Sequence, residues 1–92
     1  MPKRRAVTEE GKRVARALTG IIKENGLNIT DVAARLSEAA GAPVDYHALS
    51  RRLNGTNPID IGEIIDIVKQ LDPENWQELF AEVFRRAAVL KP

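Results

Sequence analysis

Apolar residues recur along this chain at spacings of three and four, the period of an α-helix that buries one face. Five such stripes follow one another, separated by short polar segments. In chain order they are Val14, Leu18, Ile21 and Ile22; Val32, Ala33 and Leu36, extended by Ala39 and Ala40; Leu49 and Leu53; Ile61, Ile64, Ile65, Val68 and Leu71; and Trp76, Leu79, Phe80, Val83, Phe84 and Ala87. No segment alternates with the period of two expected of a half-buried β-strand. The pattern therefore predicts an all-α fold, a bundle of five helices.

Polar residues in front of each stripe predict where the helices begin. An oxygen-bearing side chain at the N-cap accepts a hydrogen bond from the first turn, and an acid three residues later completes a capping box. The predicted caps are Thr8, Asn28 with Asp31, Asp45, and Asp60 with Glu63. The pair Asp72-Pro73 predicts the start of the fifth helix, because proline suits the first helical position. The predicted stops are Gly26, Gly41-Ala42-Pro43 and Gly55.

The length of 92 residues suits one small domain with one core. We expect a flexible basic arm at residues 1–7, which carries Lys3, Arg4 and Arg5, and a single domain over residues 8–92. The fifth helix, predicted over 73–90, has a wide apolar stripe with two open interpretations. It closes the core over the first and fourth helices, or it forms a homodimer interface through Phe80, Val83 and Phe84. Both hold if the start of the helix is buried and its end is exposed.

Charge is distributed unevenly, although the formal net charge is only +1. Residues 1–53 carry ten lysines and arginines against six acids, and the remainder carries four against seven. The two parts therefore differ in sign, as expected of a protein that binds a polyanion on one side. An ordinary solvated surface is the plainer explanation.

Composition excludes several classes of protein. The absence of cysteine removes disulfides and thiolate metal sites, and a single histidine makes a metal role unexpected. No apolar run approaches the roughly 18–20 residues that span a bilayer, and none follows the basic N-terminus as in a secretory signal. We therefore expect a cytoplasmic protein with no membrane partner. Neither a nucleophile beside a general base nor a strand-borne glycine-rich loop is evident, so an enzyme is not expected and no cofactor is implied.

The most informative stretch runs from Gly26 to Leu71. At its centre stands V-D-x-x-x-L-S-R-x-L-N-G, residues 44–55, followed by a polar turn with Pro58 and a run of isoleucines. This resembles the lambda-repressor/Cro-like (XRE-type) helix-turn-helix family, and the resemblance covers about half of the chain. It implies a lambda-repressor-like bundle in which helices 2 and 3 form the helix-turn-helix. One departure is that Ser37 to Pro43 make the connection between these helices longer than usual, so we expect helix 2 to gain about one turn.

The resemblance makes helix 3 a recognition helix that enters the DNA major groove. Leu49 and Leu53, four residues apart, would hold it to the scaffold. The residues that point away from this stripe, and that we expect to read base edges, are Tyr46, His47, Ser50 and Arg51. Arginine pairs with guanine O6 and N7 through two hydrogen bonds. Taken singly, the arginines are also explained as solvated helix charges, and Tyr46 as a ring packed on helix 2.

Phosphate contacts are expected from three places. Short polar side chains after helix 3 suit the DNA backbone, and so do nearby arginines. The family also places a phosphate at the amide dipole of the helix 2 N-terminus. The candidate phosphate ligands are Asn28, Thr30, Arg35, Arg52, Asn54, Thr56 and Asn57, with Lys3, Arg4 and Arg5 of the arm.

The sequence therefore predicts a sequence-specific double-stranded DNA-binding regulator. A phage-type or Cro-like repressor that occupies a palindromic operator as a homodimer fits the short chain, with no small-molecule ligand evident. The alternative is a protein-interaction module with the same fold, such as an antitoxin. The acidic second part and the apolar fifth helix fit that alternative, but it does not explain Ser50, Arg51, Arg52 and Asn54 on the outer side of helix 3.

Overall fold

Five α-helices follow one another in the computed structural model, which describes residues 7–89 of the chain. They are α1 (Glu9–Glu24), α2 (Ile29–Ala40), α3 (Tyr46–Leu53), α4 (Ile61–Leu71) and α5 (Trp76–Val89). No β-strand occurs within residues 7–89, and the predicted all-α class is confirmed. The predicted arm cations Lys3, Arg4 and Arg5 lie outside the described residues, as does the end of the helix predicted to reach residue 90.

The N-caps of the first four helices are those predicted from the sequence. Oxygens of Thr8, Asp45 and Asp60 accept hydrogen bonds of 2.8–3.0 Å from backbone N–H groups of α1, α3 and α4. Asn28 and Asp31 form a reciprocal capping box at 2.9 Å in both directions. Each bond satisfies a donor that the helix itself leaves free. These caps fix the starts of α2 and α3, the two helices that matter most for the candidate site.

The start of α5 differs from the prediction. The Asp72 carboxylate does accept a 3.2 Å hydrogen bond from the Asn75 N–H, as a cap would. However, Asp72 is also the C-cap of α4, and the residues after it form bends, so the first regular helical residue is Trp76. The Asn75 carbonyl accepts the first α5 bonds, from Glu78 and Leu79. Because Asp72 and Pro73 turn the chain between two closely spaced helices, α5 begins three residues later than expected.

The core is built from all five helices. Packing contacts join α1 to α3 and α5, α2 to α3 and α4, and α4 to α5. The largest fully buried side chains are Leu18, Ile21, Ile22, Val32, Leu49, Leu53, Ile67, Val68 and Val83. The Cα radius of gyration is 12.9 Å, close to the roughly 12 Å expected of a compact chain of this length.

Three details of the predicted stripes are wrong. Ala39 and Ala40 at the end of α2 are exposed. Ile61, the first residue of α4, is 60% exposed, whereas Ile67, outside the predicted stripe, is completely buried. Helical spacing indicates which residues share a face, but the ends and the exact rotation of the buried face depend on neighbouring helices.

Val83 is a further correction, because it was assigned to a dimer interface and its side chain is completely buried in the core. A side chain with no exposed surface has none left to contact a second molecule. Phe80 packs against the core with partial burial, and Phe84 is 38% exposed beside it, with the two ring centroids 5.0 Å apart.

Arg86 connects the end of α5 to α1. Its guanidinium donates a 3.0 Å hydrogen bond to Glu24 and a 2.8 Å hydrogen bond to Glu82. These bonds hold the pKa of both glutamates below the ordinary value of 4.5.

None of the helices described is both long enough and apolar enough to cross a membrane.

Candidate nucleic-acid interface

Helix α3 is held to the scaffold by one side and presents the other to solvent. Leu49 and Leu53 are buried, with at most 1% of their surface exposed. Tyr46 is 42% exposed, and His47 and Arg51 are also exposed. Ser50 is half-buried, so of the four predicted base-reading residues it presents the least surface. The division between a fixed apolar side and a free polar side is what a helix needs in order to approach a nucleic-acid groove.

Both ends of α3 are fixed by hydroxyl groups on other helices. Before α3, the Ser37 hydroxyl donates to the Ala33 carbonyl at 2.7 Å and accepts from the Val44 N–H at 2.9 Å. After α3, the Thr19 hydroxyl of α1 lies 2.9 Å from the Leu53 carbonyl oxygen. Helix α3 is therefore attached to α2 at its start and to α1 at its end. No motif or spacing in the sequence marks Ser37 or Thr19 for this role.

The start of α2 lies beside the start of α3. Asn28 and Thr30, two predicted phosphate ligands, line a shallow pocket of about 380 Å³ together with Lys23 and Tyr46. The Tyr46 ring also meets the His47 ring edge to face, with centroids 5.5 Å apart. Tyr46 thus borders α2 while keeping nearly half of its surface exposed. The structure brings these predicted ligands together at one corner of the molecule.

The turn after α3 holds three more predicted phosphate ligands. The Asn54 side-chain oxygen accepts from the Thr56 N–H at 3.0 Å and from the Thr56 hydroxyl at 2.6 Å. The N–H groups of Thr56 and Asn57 both donate to the Arg51 carbonyl, at 2.9 and 3.1 Å. Because these N–H groups close the helix end, any phosphate contact here has to come from side chains. Asn54 and Thr56 are exposed, and Asn57 is half-buried.

Arg52 is engaged inside the fold. Its Nε atom lies 2.6 Å from a Glu63 carboxylate oxygen, and their side chains are 30% and 20% exposed. Burial raises the pKa of Glu63, and the charge of Arg52 opposes that effect. This ion pair joins α3 to α4 and argues against the predicted phosphate contact by Arg52.

Arg35 lies away from the residues gathered around α3. Its guanidinium donates a 3.1 Å hydrogen bond to the Gln70 carbonyl near the end of α4. It borders a shallow depression with Glu38, Ala39 and Gln70. The predicted phosphate contact by Arg35 therefore lacks the placement that the start of α2 and the turn after α3 share.

A groove of about 800 Å³ runs between α1 and the end of α3, and sequence reasoning missed it. It is lined on the α1 side by Lys12, Arg16, Thr19 and Lys23, and on the other side by Leu53, Asn54, Gly55 and Thr56. The α1 residues are spaced 4, 3 and 4 apart, so they share a helical face. That spacing is visible in the sequence, but the apolar stripe of α1 does not show which helix these polar positions adjoin.

No group of three or more histidine, aspartate or glutamate side chains placed to hold a metal ion occurs in the described part of the chain. Comparison of the chain with protein-family models, with curated proteins and with solved structures gave no match. Function is therefore inferred from the chain's own residues.

Proposed function

We propose that this protein is a sequence-specific double-stranded DNA-binding transcriptional regulator of the lambda-repressor/Cro-like type. In this proposal α2 and α3 form the helix-turn-helix, and α3 lies in the major groove. The observation that carries it is the two-sided α3, with Leu49 and Leu53 buried and Tyr46, His47 and Arg51 exposed on the same helix. A helix can present side chains to base edges only if its other side is held at a fixed position.

The exposed residues of α3 divide by their distance along the helix. The first residues of a recognition helix come nearest to the bases, which makes Tyr46 and His47 base readers. Arg51 lies about one turn further on, where its guanidinium reaches a guanine through two hydrogen bonds. Ser50 has less exposed surface and is assigned a minor contact.

Phosphate contacts come from the two places where the predicted ligands converge. Asn28 and Thr30 lie beside Tyr46 at the start of α2, where the positive end of the helix dipole favours an anion. Asn54, Thr56 and Asn57 follow α3 directly. Phosphate contacts at both ends of α3 would set its register on the duplex without reading sequence.

The proposed mechanism is repression by occupation of an operator. Such a regulator acts in the cytoplasm, where it associates with the nucleoid, and it needs no cofactor. Two-fold dimers bind palindromic operators with half-sites about 34 Å apart. We assign the dimer contact to exposed residues of α5, chiefly Phe84.

A protein-interaction module such as an antitoxin is the second candidate. Apolar side chains on the surface favour it, because Ile61, Phe84 and Val89 are exposed by 60%, 38% and 74%. Exposed apolar side chains mark a binding site when they form a large contiguous patch. These residues lie on two helices, α4 and α5, and the DNA-binding proposal uses Phe84 as well.

Selection of bound duplexes from a random-sequence pool tests the proposal. The expected result is enrichment of one consensus with two-fold symmetry. Retention of DNA without any enrichment would contradict sequence-specific binding, and a failure to retain DNA at low salt would favour the interaction module.

A further inference from the structure

A stripe of cationic side chains follows one face of α1. Lys12, Arg16 and Lys23 lie four and seven residues apart, so at 100° per residue they fall within about 40° of one another around the helix axis. Thr19 lies on the same face, and its hydroxyl lies 2.9 Å from the Leu53 carbonyl oxygen at the end of α3. The stripe is therefore on the side of α1 that adjoins the candidate recognition helix.

Contacts at both ends of this stripe place it along α3. At one end, Lys12 packs so closely on Gly55 that a Cβ atom there would lie 3.4 Å from the lysine Cγ. At the other end, Lys23 borders both the groove beside α3 and the pocket that holds Asn28 and Tyr46. The stripe thus joins the two places to which the proposed phosphate ligands belong.

The charge of the groove is of one sign. Its lining contains no acidic residue among the described positions. Lys12 forms an ion pair with Glu9 at 3.8 Å, and both side chains are at least half exposed, so the attraction is weak. By contrast, another groove, between α2 and α4, is lined by Asp60, Glu63 and Asp66 with one lysine. Of these two grooves, the one along α1 is the one whose charge suits a polyanion.

We propose that the α1 stripe binds the phosphodiester backbone of the DNA beside the segment that α3 reads. This inference rests on the proposed function and adds α1 to α2 and α3 as a third DNA-contacting helix. Eleven residues of α-helix separate Lys12 from Lys23 by about 16 Å. That length covers several successive phosphates of one strand, which advance about 3.4 Å each along the duplex axis.

The salt dependence of DNA binding tests the stripe. Each phosphate that a lysine neutralises contributes about −0.9 to the slope of log K against log salt concentration. The double variant Lys12→Gln/Lys23→Gln should therefore have a slope shallower by about two. Because these lysines read no base, affinity for the selected site and for random duplex should fall by the same factor.

Arg85→Gln is the control for loss of a positive charge outside the groove. Arg85 is exposed on α5, pairs with Glu82 and does not line the groove. Its slope should equal that of the parent protein. A double variant with the slope of the Arg85→Gln variant would overturn the stripe, provided that circular dichroism shows both variants folded.

Two further outcomes separate this inference from the proposed function. If the parent enriches a consensus and the double variant keeps the parental slope, the stripe is wrong and the recognition helix stands. If the parent enriches no consensus, yet the double variant has a shallower salt slope than the parent, the stripe binds DNA but the proposal of sequence-specific reading is wrong. Competition by inorganic phosphate at equal ionic strength should leave DNA binding unchanged, and displacement of DNA would assign the groove to a small anion instead.

Discussion

Arg51 and Arg52 are adjacent in the chain, yet they face different surroundings. Successive residues of a helix point about 100° apart. This rotation turns Arg52 towards Glu63 of α4, where it forms an ion pair, and leaves Arg51 exposed. The sequence predicts exposed, DNA-facing roles for both, base reading for Arg51 and a phosphate contact for Arg52, but tertiary packing decides which of the two side chains stays exposed.

Arg51 is expected to carry base discrimination. Replacing it with alanine should reduce affinity for the selected site by about 1–3 kcal/mol, the value of a bidentate arginine–guanine contact, with a smaller loss on random duplex. Fluorescence anisotropy with both duplexes measures the ratio. Equal losses on the two duplexes would remove Arg51 as a base reader.

Gly55 is required by the turn that closes α3. Its φ of +84° is a left-handed conformation that residues with a side chain rarely adopt, whereas an added Cβ would make only ordinary contact with Lys12. We expect Gly55→Ala to lower the free energy of unfolding by about 1–2 kcal/mol in urea titrations. Gly20→Ala is the control, since Gly20 lies within α1 with nothing within 4 Å of an added Cβ. It should raise stability by about 0.5–1 kcal/mol, and a loss at both sites would contradict the account.

The helices themselves were predictable where local chemistry decides them. The capping box of Asn28 and Asp31 and the Asp45 cap follow from residue types at fixed spacing, and Gly41 ends α2 with a φ of +67°. The start of α5 was not predictable in the same way. The Asp72 carboxylate can cap a helix, but Asp72 ends α4, and its carboxylate accepts a hydrogen bond within the turn that precedes α5.

The candidate site was predictable in part, and the limits have a physical cause. The exposure of Tyr46, His47 and Arg51 follows from the inward stripe of Leu49 and Leu53. The engagement of Arg52 with Glu63 and the contact of Lys12 with Gly55 join residues from different helices. Nothing in a helical period shows which helices become neighbours, so these relations appear only in the folded chain.

The connection between α2 and α3 depends on one hydroxyl. Ser37→Ala leaves the Val44 N–H without its hydrogen-bond partner and should lower the free energy of unfolding by about 1 kcal/mol. Chemical denaturation measures it. Ser50→Ala is the same chemical change on α3 and should stay within about 0.5 kcal/mol of the parent. Identical denaturation midpoints for the parent, Ser37→Ala and Ser50→Ala would contradict this role of the Ser37 hydroxyl.

At the scale of the whole molecule, Arg86 joins α5 to α1 and makes this contact sensitive to pH. The pKa of Glu24 and of Glu82 lies below 4.5, chiefly because Arg86 donates hydrogen bonds to both. A carboxyl group whose pKa is lowered by folding contributes its full stability at pH values above its pKa in the unfolded chain. That contribution is lost as the pH falls through the lowered pKa of the folded protein. Arg86→Gln should therefore melt below the parent at pH 7, with the difference narrowing below pH 4.5. A difference that stays constant from pH 7 to pH 2 would contradict this.

The proposed dimer rests on the exposed end of α5, since Val83 belongs to the core. At high protein concentration the Phe84→Glu variant should sediment with a lower mass than the parent, and it should bind a palindromic site more weakly. Ile61→Glu makes the same change at an exposed apolar residue on α4 and serves as the control. Should Phe84→Glu sediment like the parent and bind the site equally well, α5 is not the interface.

The two-sided α3 is the central claim, and one measurement tests it most directly. Selection from a random duplex pool is carried out with the parent protein and with a triple variant, Tyr46→Ala/His47→Ala/Arg51→Ala, which keeps Leu49 and Leu53. The parent is expected to enrich one consensus, while the variant retains salt-dependent DNA binding and enriches none. Enrichment of the same consensus by both proteins would contradict the assignment of α3 as the reading helix.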